Sequence, residues 1–259
     1  MNNKNFIINS DDFGLDSFVN EACIILNQDK KINSISVILN YQNLETIKND
    51  LKRFDGKIGL HLNLTESKPL NNIIKDEIIK QGCFQGYKQI TKSFFLGKLN
   101  YKTLYMEAEK QLLSLKKISK GIDHIDGHQH IHMIPAVWKV VNDLAINYNI
   151  PRVRRPIERI SLNDNLFIIF KKIVFYIFSF FNKQSNKIKY YKFFGHSLQN
   201  SSNYRELLEK KIFKKKNNYE IMVHVSKKDD VISNEKIKFG RQREYDIINR
   251  LNFKLLDEV

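Results

Sequence analysis

Short apolar stretches of strand length alternate with amphipathic helical patterns along most of this chain, and no other feature limits its fold as strongly. Predicted strands lie at residues 6–9, 34–39, 58–62, 121–126, 152–154 and 220–225. Predicted helices lie at residues 17–27, 101–117, 135–147, 205–216 and 242–251. Alternating strands and helices form parallel sheets with crossover helices. We therefore predict an α/β fold, a (β/α) barrel that is complete or else incomplete and distorted.

The length and composition favour a single domain over residues 1–259. A chain of 259 residues can bury one substantial core. Its apolar share of 42% and charged share of 27% are typical of globular proteins. Only 4 Pro and 10 Gly argue against long flexible linkers. Within the domain, residues 67–100 lack a clean period and predict a loop insertion, and residues 166–181 predict an apolar helix.

The apolar segment 166–181 is interrupted by Lys171 and Lys172, whereas a bilayer crossing needs about 20 uninterrupted apolar residues. A core or lid helix is the favoured interpretation. The alternative is peripheral membrane contact through a surface helix with snorkelling lysines, in which Phe175 and Phe178 would contribute. Residues 1–5 are polar and run directly into a predicted strand, so we expect no signal peptide. We expect a cytoplasmic location, with membrane association as the alternative.

The net charge of +15 raises the question of an anionic partner. The excess lysines are spread widely, and no nucleic-acid-binding motif accompanies them. We therefore expect no specific nucleic acid as a partner. The charge favours acidic or phosphorylated partners, or an anionic membrane surface, without choosing among them.

Residues 124–132, with the sequence HIDGHQHIH, hold four of the seven histidines of the chain. In an extended segment alternate side chains share one face, so five polar side chains would lie together: His124, Asp126, His128, His130 and His132. Buried imidazoles need hydrogen bonds or a metal, and neutral imidazole is a common ligand for transition metals. The run predicts a metal site at a strand end. A solvated histidine-rich turn is the alternative.

Other predicted strands also end in polar residues. Asp11 and Asp12 follow the first strand, His61 lies at the end of the third, and His224 lies in the last. The carboxyl ends of strands carry the chemistry of (β/α) barrels, so these side chains are expected to meet. Adjacent carboxylates can divide the work, one binding a cation and the other facing water. Taken singly, the aspartate pair could equally cap a helix and a lone histidine could be structural.

Three motifs in the expected order resemble those of the YdjC-like carbohydrate deacetylases: NSDDFGL at 9–15, GLHLNL at 59–64 and HIDGHQHIHMIP at 124–135. The resemblance continues in RRPIE at 154–158 and EIMVH at 220–224. Segment 166–181 and the FGH that follows at 194–196 are similar to the hopanoid-associated branch of the family. Two positions depart from the pattern: Ser10 stands where the family commonly has Ala, and Val225 where it usually has Pro.

The resemblance implies a barrel-like fold and hydrolysis of an N-acetyl group on an amino sugar, either an oligosaccharide or a lipid-linked or glycolipid sugar. It implies that Asp12, His61 and His128 bind one divalent metal and that Asp11 is the general base. Mixed nitrogen and oxygen ligands suit Zn²⁺, Mn²⁺ or Co²⁺, and the resemblance also admits Mg²⁺.

The remaining roles follow from the chemistry of amide hydrolysis. Departure of the amine requires a proton donor, for which His224 and His130 are the candidates. Asp126 is expected to orient one of the imidazoles from outside the ligand set. Arg154 and Glu158 are expected to bind substrate, or else to form a structural ion pair with each other.

Two other functions remain open from the sequence. A metal-dependent phosphoesterase or sugar isomerase on a similar barrel often uses two metals and more carboxylates than Asp11 and Asp12 supply. A basic RNA- or membrane-binding protein could hold a structural metal, although such sites are usually closed by four protein ligands.

Overall fold

The computed structural model describes residues 6–71, 77–161, 164–198, 201–213, 218–229 and 240–252. In chain order the strands of these residues are β1 (Phe6–Phe13), β2 (Ser34–Val37), β3 (Lys57–Leu62), β4 (Ile79–Lys80), β5 (Cys83–Phe84), β6 (His124–Gly127), β7 (Arg152–Val153), β8 (Lys192–Phe194) and β9 (Tyr219–Val223). The α-helices are α1 (Ser17–Gln28), α2 (Leu44–Leu51), α3 (Gly86–Phe95), α4 (Tyr101–Ile118), α5 (Pro135–Asn147), α6 (Leu166–Phe181), α7 (Tyr204–Phe213) and α8 (Arg241–Arg250).

Seven strands form one parallel sheet in the order β7-β6-β3-β2-β1-β9-β8, and β4 and β5 form a separate antiparallel hairpin. The sheet curls until its edges approach each other. The amide of Lys189, just before β8, donates to the carbonyl of Pro151 at 2.9 Å, and the amide of Val153 in β7 donates to the carbonyl of Lys189 at 3.2 Å. The predicted (β/α) barrel is therefore confirmed, in an incomplete form that has seven sheet strands among the described residues, where a complete barrel has eight.

The helices pack their apolar stripes against the outside of this curled sheet. In α1 the side chains of Val19, Cys23 and Leu26 are fully buried at helical spacing, and the carboxylate of Asp16 caps the helix by accepting from the Val19 amide at 2.8 Å. Burial raises the pKa of the Cys23 thiol to about 12, so this cysteine is a packing residue. The sheet and helices thus hold the carboxyl ends of the strands at fixed positions.

Several elements differ from the sequence prediction. Strand β1 extends four residues beyond residue 9, and the short elements β8, α2 and α3 were not predicted. Two or three turns of helix, or three residues of strand, carry too few apolar positions to establish a period. The described part of residues 67–100 holds the hairpin and α3. Among the described helices, none has the length and apolarity that a bilayer crossing requires.

Gly59 provides a test of this architecture, because β3 and β6 place it directly beside His124. A Cβ atom on Gly59 would lie 2.2 Å from the His124 ring. We predict that Gly59→Ala lowers the free energy of unfolding by about 1–3 kcal/mol through overpacking. Urea denaturation measures this change. Gly121→Ala is the matched control, since no atom lies within 4 Å of its added Cβ, and equal effects of the two substitutions would contradict the packing argument.

Candidate metal centre and active site

The candidate site lies at the carboxyl ends of β1, β3 and β6. Asp11 and Asp12 end β1, His61 lies in β3, and Asp126 lies opposite His61 in the register of β3 against β6. His128 follows β6 directly, and all five side chains are almost completely buried. The parallel sheet thus gathers at one edge residues that are more than 100 positions apart in the sequence.

A bulge in β1 brings its adjacent aspartates to the same site. The register of β1 against β2 shifts between Ser10 and Phe13, and Asp12 has a φ of 69°, in the left-handed region. In a regular strand Asp11 and Asp12 would point to opposite faces, whereas a bulge redirects one side chain. Both carboxylates here lie near His61, each in a separate cluster of potential ligands.

Asp12, His61 and His128 have the spacing of ligands around one ion. The Oδ1 atom of Asp12 lies 3.2 Å from Nε2 of His61 and 2.9 Å from Nδ1 of His128. Two ligands at about 2.1 Å from a metal and about 90–110° apart are separated by about 3.0–3.4 Å. The described donor atoms therefore fit one divalent cation with two nitrogen ligands and one oxygen ligand. Their role as ligands remains a prediction.

The charges around these three side chains also favour a cation. Burial alone would lower the pKa of His61, but Asp126 and Asp11 raise it well above its usual range. Burial alone would raise the pKa of Asp12, but Arg241 and His128 hold it well below its usual range. The carboxylates near His61 therefore favour positive charge at that side chain, while Arg241 and His128 keep Asp12 ionised.

Asp126 contacts the outer nitrogen of the His61 ring. Its Oδ1 atom lies 2.7 Å from Nδ1 of His61, so a proton on Nδ1 leaves Nε2 facing Asp12. Its Oδ2 atom accepts from the Ser36 hydroxyl at 2.7 Å and lies 2.8 Å from Nη2 of Arg154. This is the contact that an orienting role for Asp126 requires.

Arg154 is the centre of a buried ion-pair network. Its Nη1 and Nη2 atoms donate to the two oxygens of Asp11 at 2.6 and 2.7 Å, and its Nε atom donates to Glu220 at 2.6 Å. Bidentate pairs of this kind fix geometry as well as charge. Arg154 pairs with Asp11, Asp126 and Glu220. The alternative prediction from the sequence, an ion pair between Arg154 and Glu158, is therefore wrong.

Glu158 lies away from this network and holds the loop that follows β8. Its Oε2 atom accepts from the amides of Gly195 and His196 at 2.9 Å each, and its Oε1 atom pairs with Lys172 at 3.0 Å. Substrate binding by Arg154 and Glu158 remains a prediction. In the structure Arg154 binds three carboxylates, and Glu158 binds the backbone after β8.

The two candidate proton donors lie in different surroundings. Nε2 of His224 is 4.0 Å from Oδ2 of Asp11, and the His224 amide donates to Glu244 at 2.8 Å. The ring of His130 instead packs edge-on against Phe175 and His196, with ring centroids 5.6 and 4.9 Å away. Of the two, His224 is the one beside the Asp11 carboxylate.

The prediction that residues 124–132 form one extended segment with a single polar face is wrong. Strand β6 ends at Gly127, and His128–Met133 forms a 3₁₀ turn in which Gln129 and His130 have φ values of 54° and 55°. The chain therefore turns back on itself and sends its side chains in different directions. Within the described structure, Asp126 and His128 are the members of this run that lie in the two groups of potential metal ligands.

His124 and His132 of the run lie outside these groups and contact the scaffold. The His124 ring lies against Gly59, with Nε2 3.0 Å from the Ser36 hydroxyl. Nε2 of His132 donates to the carbonyl of Arg154 at 3.1 Å, which supports the backbone at that arginine. The Nε2 atom of each of these two rings thus has a hydrogen-bond partner within the fold.

Two residues at the site were missed from the sequence. Nη2 of Arg241, the first residue of α8, donates to Oδ2 of Asp12 at 2.5 Å. Glu66 lies 3.7 Å from Nε2 of His128 and accepts from the Tyr41 hydroxyl at 2.5 Å. Glu66 follows the GLHLNL segment by two residues, which is a signal that could have been used. Arg241 is one of 43 basic residues, and nothing local distinguishes it.

The fold and the site place this chain among the α/β-barrel proteins that carry carboxylates and imidazoles at their strand ends. Similarity to known proteins identifies the family. The profile described as YdjC-like protein matches residues 5–256. The chain belongs to the YdjC-like family.

Its relatives include proteins named carbohydrate deacetylase from Clostridium beijerinckii (32% identical over 149 residues), Xenopus laevis (28% over 156) and Vibrio cholerae (29% over 150). These matches cover 56%, 59% and 56% of this chain and 58%, 51% and 56% of the relatives, so they span little more than half of either protein. A crystal structure from Enterococcus faecalis V583, of a protein named for cellobiose-phosphate cleavage, has the same fold. Its TM-score is 0.61 at 21% identity, over 94% of this chain and 89% of that one.

Three buried imidazoles close to the site lead to a prediction about pH. Burial lowers the pKa of His132 to about 4 and the pKa values of His130 and His196 well below their usual range. At these three side chains the folded state therefore binds fewer protons than the unfolded state, in which histidine titrates near pH 6.5. Each neutral histidine therefore contributes fully to the free energy of unfolding above about pH 6.5. This contribution falls as the pH drops toward 4, by up to about 1.4 kcal/mol per pH unit for each histidine.

We predict that His132→Gln, which keeps a donor for the Arg154 carbonyl, makes the free energy of unfolding less dependent on pH. The slope should fall by the equivalent of about one bound proton. Urea unfolding at pH 7.5, 6.0 and 5.0 in the presence of a chelator measures the slope without a contribution from metal binding. An unchanged slope in the variant would show that His132 is not held neutral in the fold.

Proposed function

We propose that this chain is a metal-dependent hydrolase that removes the N-acetyl group from an amino sugar and releases acetate. One observation carries the proposal: Asp12, His61 and His128 share the spacing of ligands to one ion, with Asp11 beside them. The names of the relatives, carbohydrate deacetylase, support the same reaction. The free thiols of Cys23 and Cys83 support a cytoplasmic location.

In the proposed site Asp12, His61 and His128 hold one divalent ion. When bound, such an ion lowers the pKa of a water molecule and polarises the acetamide carbonyl. Two neutral imidazoles and one carboxylate leave the site with net positive charge and favour Zn²⁺, with Mn²⁺ or Co²⁺ as substitutes. Mg²⁺ prefers an oxygen-rich set of ligands, so it is the weaker candidate on the donor atoms.

The side chains of the protein perform the proton transfers. Asp11 accepts a proton from the attacking water as the new carbon–oxygen bond forms. Arg154 and Asn9 hold the Asp11 carboxylate by hydrogen bonds of 2.6–2.8 Å, so that its orientation is fixed before the substrate arrives. His224 donates a proton to the amine nitrogen as the carbon–nitrogen bond breaks. We prefer it to His130, which is enclosed by aromatic rings.

A two-metal phosphoesterase is the less favoured function. A second group of potential ligands, Asp11, His61 and Asp126, shares His61 with the first group. Both of its carboxylates are already bound to Arg154. A guanidinium at that position supplies the positive charge that a second metal would bring, so the cluster is better suited to one ion.

We predict that the protein releases acetate from N-acetylated amino sugars and that a chelator abolishes this release. Asp12→Asn should lower metal affinity, because it removes the charged ligand. Asp11→Asn should retain the metal but lower kcat by at least about 10²-fold through loss of the base. Acetate release and metal content, measured on the same samples, separate the two effects. Phosphate release from sugar phosphates without acetate release would instead support the phosphoesterase.

Arg154 and Arg152 offer a matched pair for testing the ion-pair network. Both are buried and both pair with Glu220, but Arg154 reaches Asp11 and Asp126 while Arg152 reaches Asp123. Lysine cannot form the bidentate pair. We predict that Arg154→Lys lowers kcat for acetate release by at least about 10²-fold, whereas Arg152→Lys changes it by only a few-fold. Equal losses in the two variants would mean that Arg154 acts only through stability, which urea unfolding of both measures.

A further inference from the structure

Helix α6 has two apolar faces, and one of them is open to solvent. Its buried face is formed by Ile168, Lys172, Phe175 and Phe178. The opposite face holds eight large apolar side chains that are each 43–85% exposed: Leu166, Phe167, Phe170, Ile173, Tyr176, Ile177, Phe180 and Phe181. Five of these, at positions 166, 170, 173, 177 and 180, follow a helical stripe along the whole length of α6. We call these eight residues the α6 outer face.

A further exposed apolar pair lies at the end of α3, beside the buried face of α6. Phe95 and Leu96 are more than half exposed, and the Phe95 ring lies 6.4 Å from that of Phe178 in α6. Contiguous apolar patches of this kind are uncommon on isolated soluble proteins and mark interaction surfaces.

The sequence of α6 and of the segment that follows it is basic. From residue 165 to residue 205 the sequence contains no Asp or Glu, but it contains six lysines and one arginine. Lys183, Lys187, Lys189 and Lys192 follow α6 closely and are exposed. Exposed aromatic and aliphatic side chains together with exposed lysines have the composition of an interfacial helix on an anionic bilayer.

We propose that the α6 outer face docks onto the surface of an anionic lipid bilayer, with α6 lying in the plane of the interface. A second copy of the chain is the less suitable occupant. A symmetric dimer through this face would bring two acid-free, lysine-containing segments together, and their like charges would repel. An anionic lipid surface complements both the apolar side chains and the lysines.

The buried face of α6 contacts the turn that carries His128 of the candidate metal centre. Phe175, on the buried face of α6, packs against the ring of His130, which is two residues from His128. Docking would therefore hold the carboxyl edge of the barrel close to the lipid headgroups. Together with the proposed function, on which this step rests, the arrangement favours a substrate whose N-acetyl amino sugar is attached to a lipid.

The residues that the sequence suggested for membrane contact, Phe175 and Phe178, are the wrong ones to test. Both are buried against the barrel, so polar substitution there would disturb the core. The outer-face pair Phe170 and Phe180 can be changed without removing a core contact. The matched control is the exposed pair Met106 and Leu113 on α4.

The test is flotation of the full chain with vesicles of phosphatidylcholine containing about 30% phosphatidylglycerol. We expect the protein to float with these vesicles, and to float much less with pure phosphatidylcholine or in about 0.5 M NaCl. Phe170→Ser with Phe180→Ser should weaken binding by at least about tenfold, while Met106→Ser with Leu113→Ser leaves it unchanged. Circular dichroism verifies that both double variants are folded.

Several results would overturn the proposal. They are failure of the unmodified protein to float, equal binding to neutral and anionic vesicles, or equal effects of the two double variants. A dimer in light scattering that Phe170→Ser with Phe180→Ser dissociates, without vesicle binding, would assign the face to a second copy. Acetate release from a water-soluble N-acetyl sugar, measured in parallel, tests the proposed function separately, because the outer-face variant should retain it.

Discussion

The buried guanidinium of Arg154 is the interaction on which the rest of the site depends. It follows β7 and binds Asp11 from β1, Asp126 from β6 and Glu220 from β9. Three carboxylates in a water-poor interior would otherwise repel one another or take up protons. One arginine therefore joins strands from separate parts of the sheet across the inside of the barrel. It also determines the direction in which Asp11 faces.

The two arginines of the site bind the adjacent carboxylates of Asp11 and Asp12 in different ways. Arg154 binds both oxygens of Asp11, whereas Arg241 binds only Oδ2 of Asp12. The remaining oxygen of Asp12 is the one that faces His61 and His128. Arg241 thus leaves a single donor oxygen beside the two imidazoles, which suits a small cation with further positions open to water and substrate. The raised pKa of His61 indicates that this point still attracts positive charge.

The parts of the site that follow from strand ends could be predicted from the sequence. Asp11, Asp12, His61 and Asp126 lie within the last three residues of parallel strands, so the topology predicts that they gather at one edge of the sheet. The bulge that turns both aspartates toward the same site does not follow from the topology. The turn at 128–133 could not be predicted, because Gln129 and His130 adopt left-handed backbone angles without a glycine to signal them. Arg241 could not be predicted either. It reaches Asp12 across 229 positions through a tertiary contact that leaves no local pattern.

The apolar surface of α6 is not explained by poor packing of the helix on the barrel. Lys172, on its buried face, pairs with Glu158 and Asp164, and Glu158 in turn holds the amides after β8. Phe175 adds an aromatic contact with His130. A helix anchored in this way gains nothing for folding from large apolar side chains on its other face, where polar residues would serve as well. One face of α6 therefore packs against the barrel, and the other is suited to bind a surface outside the chain.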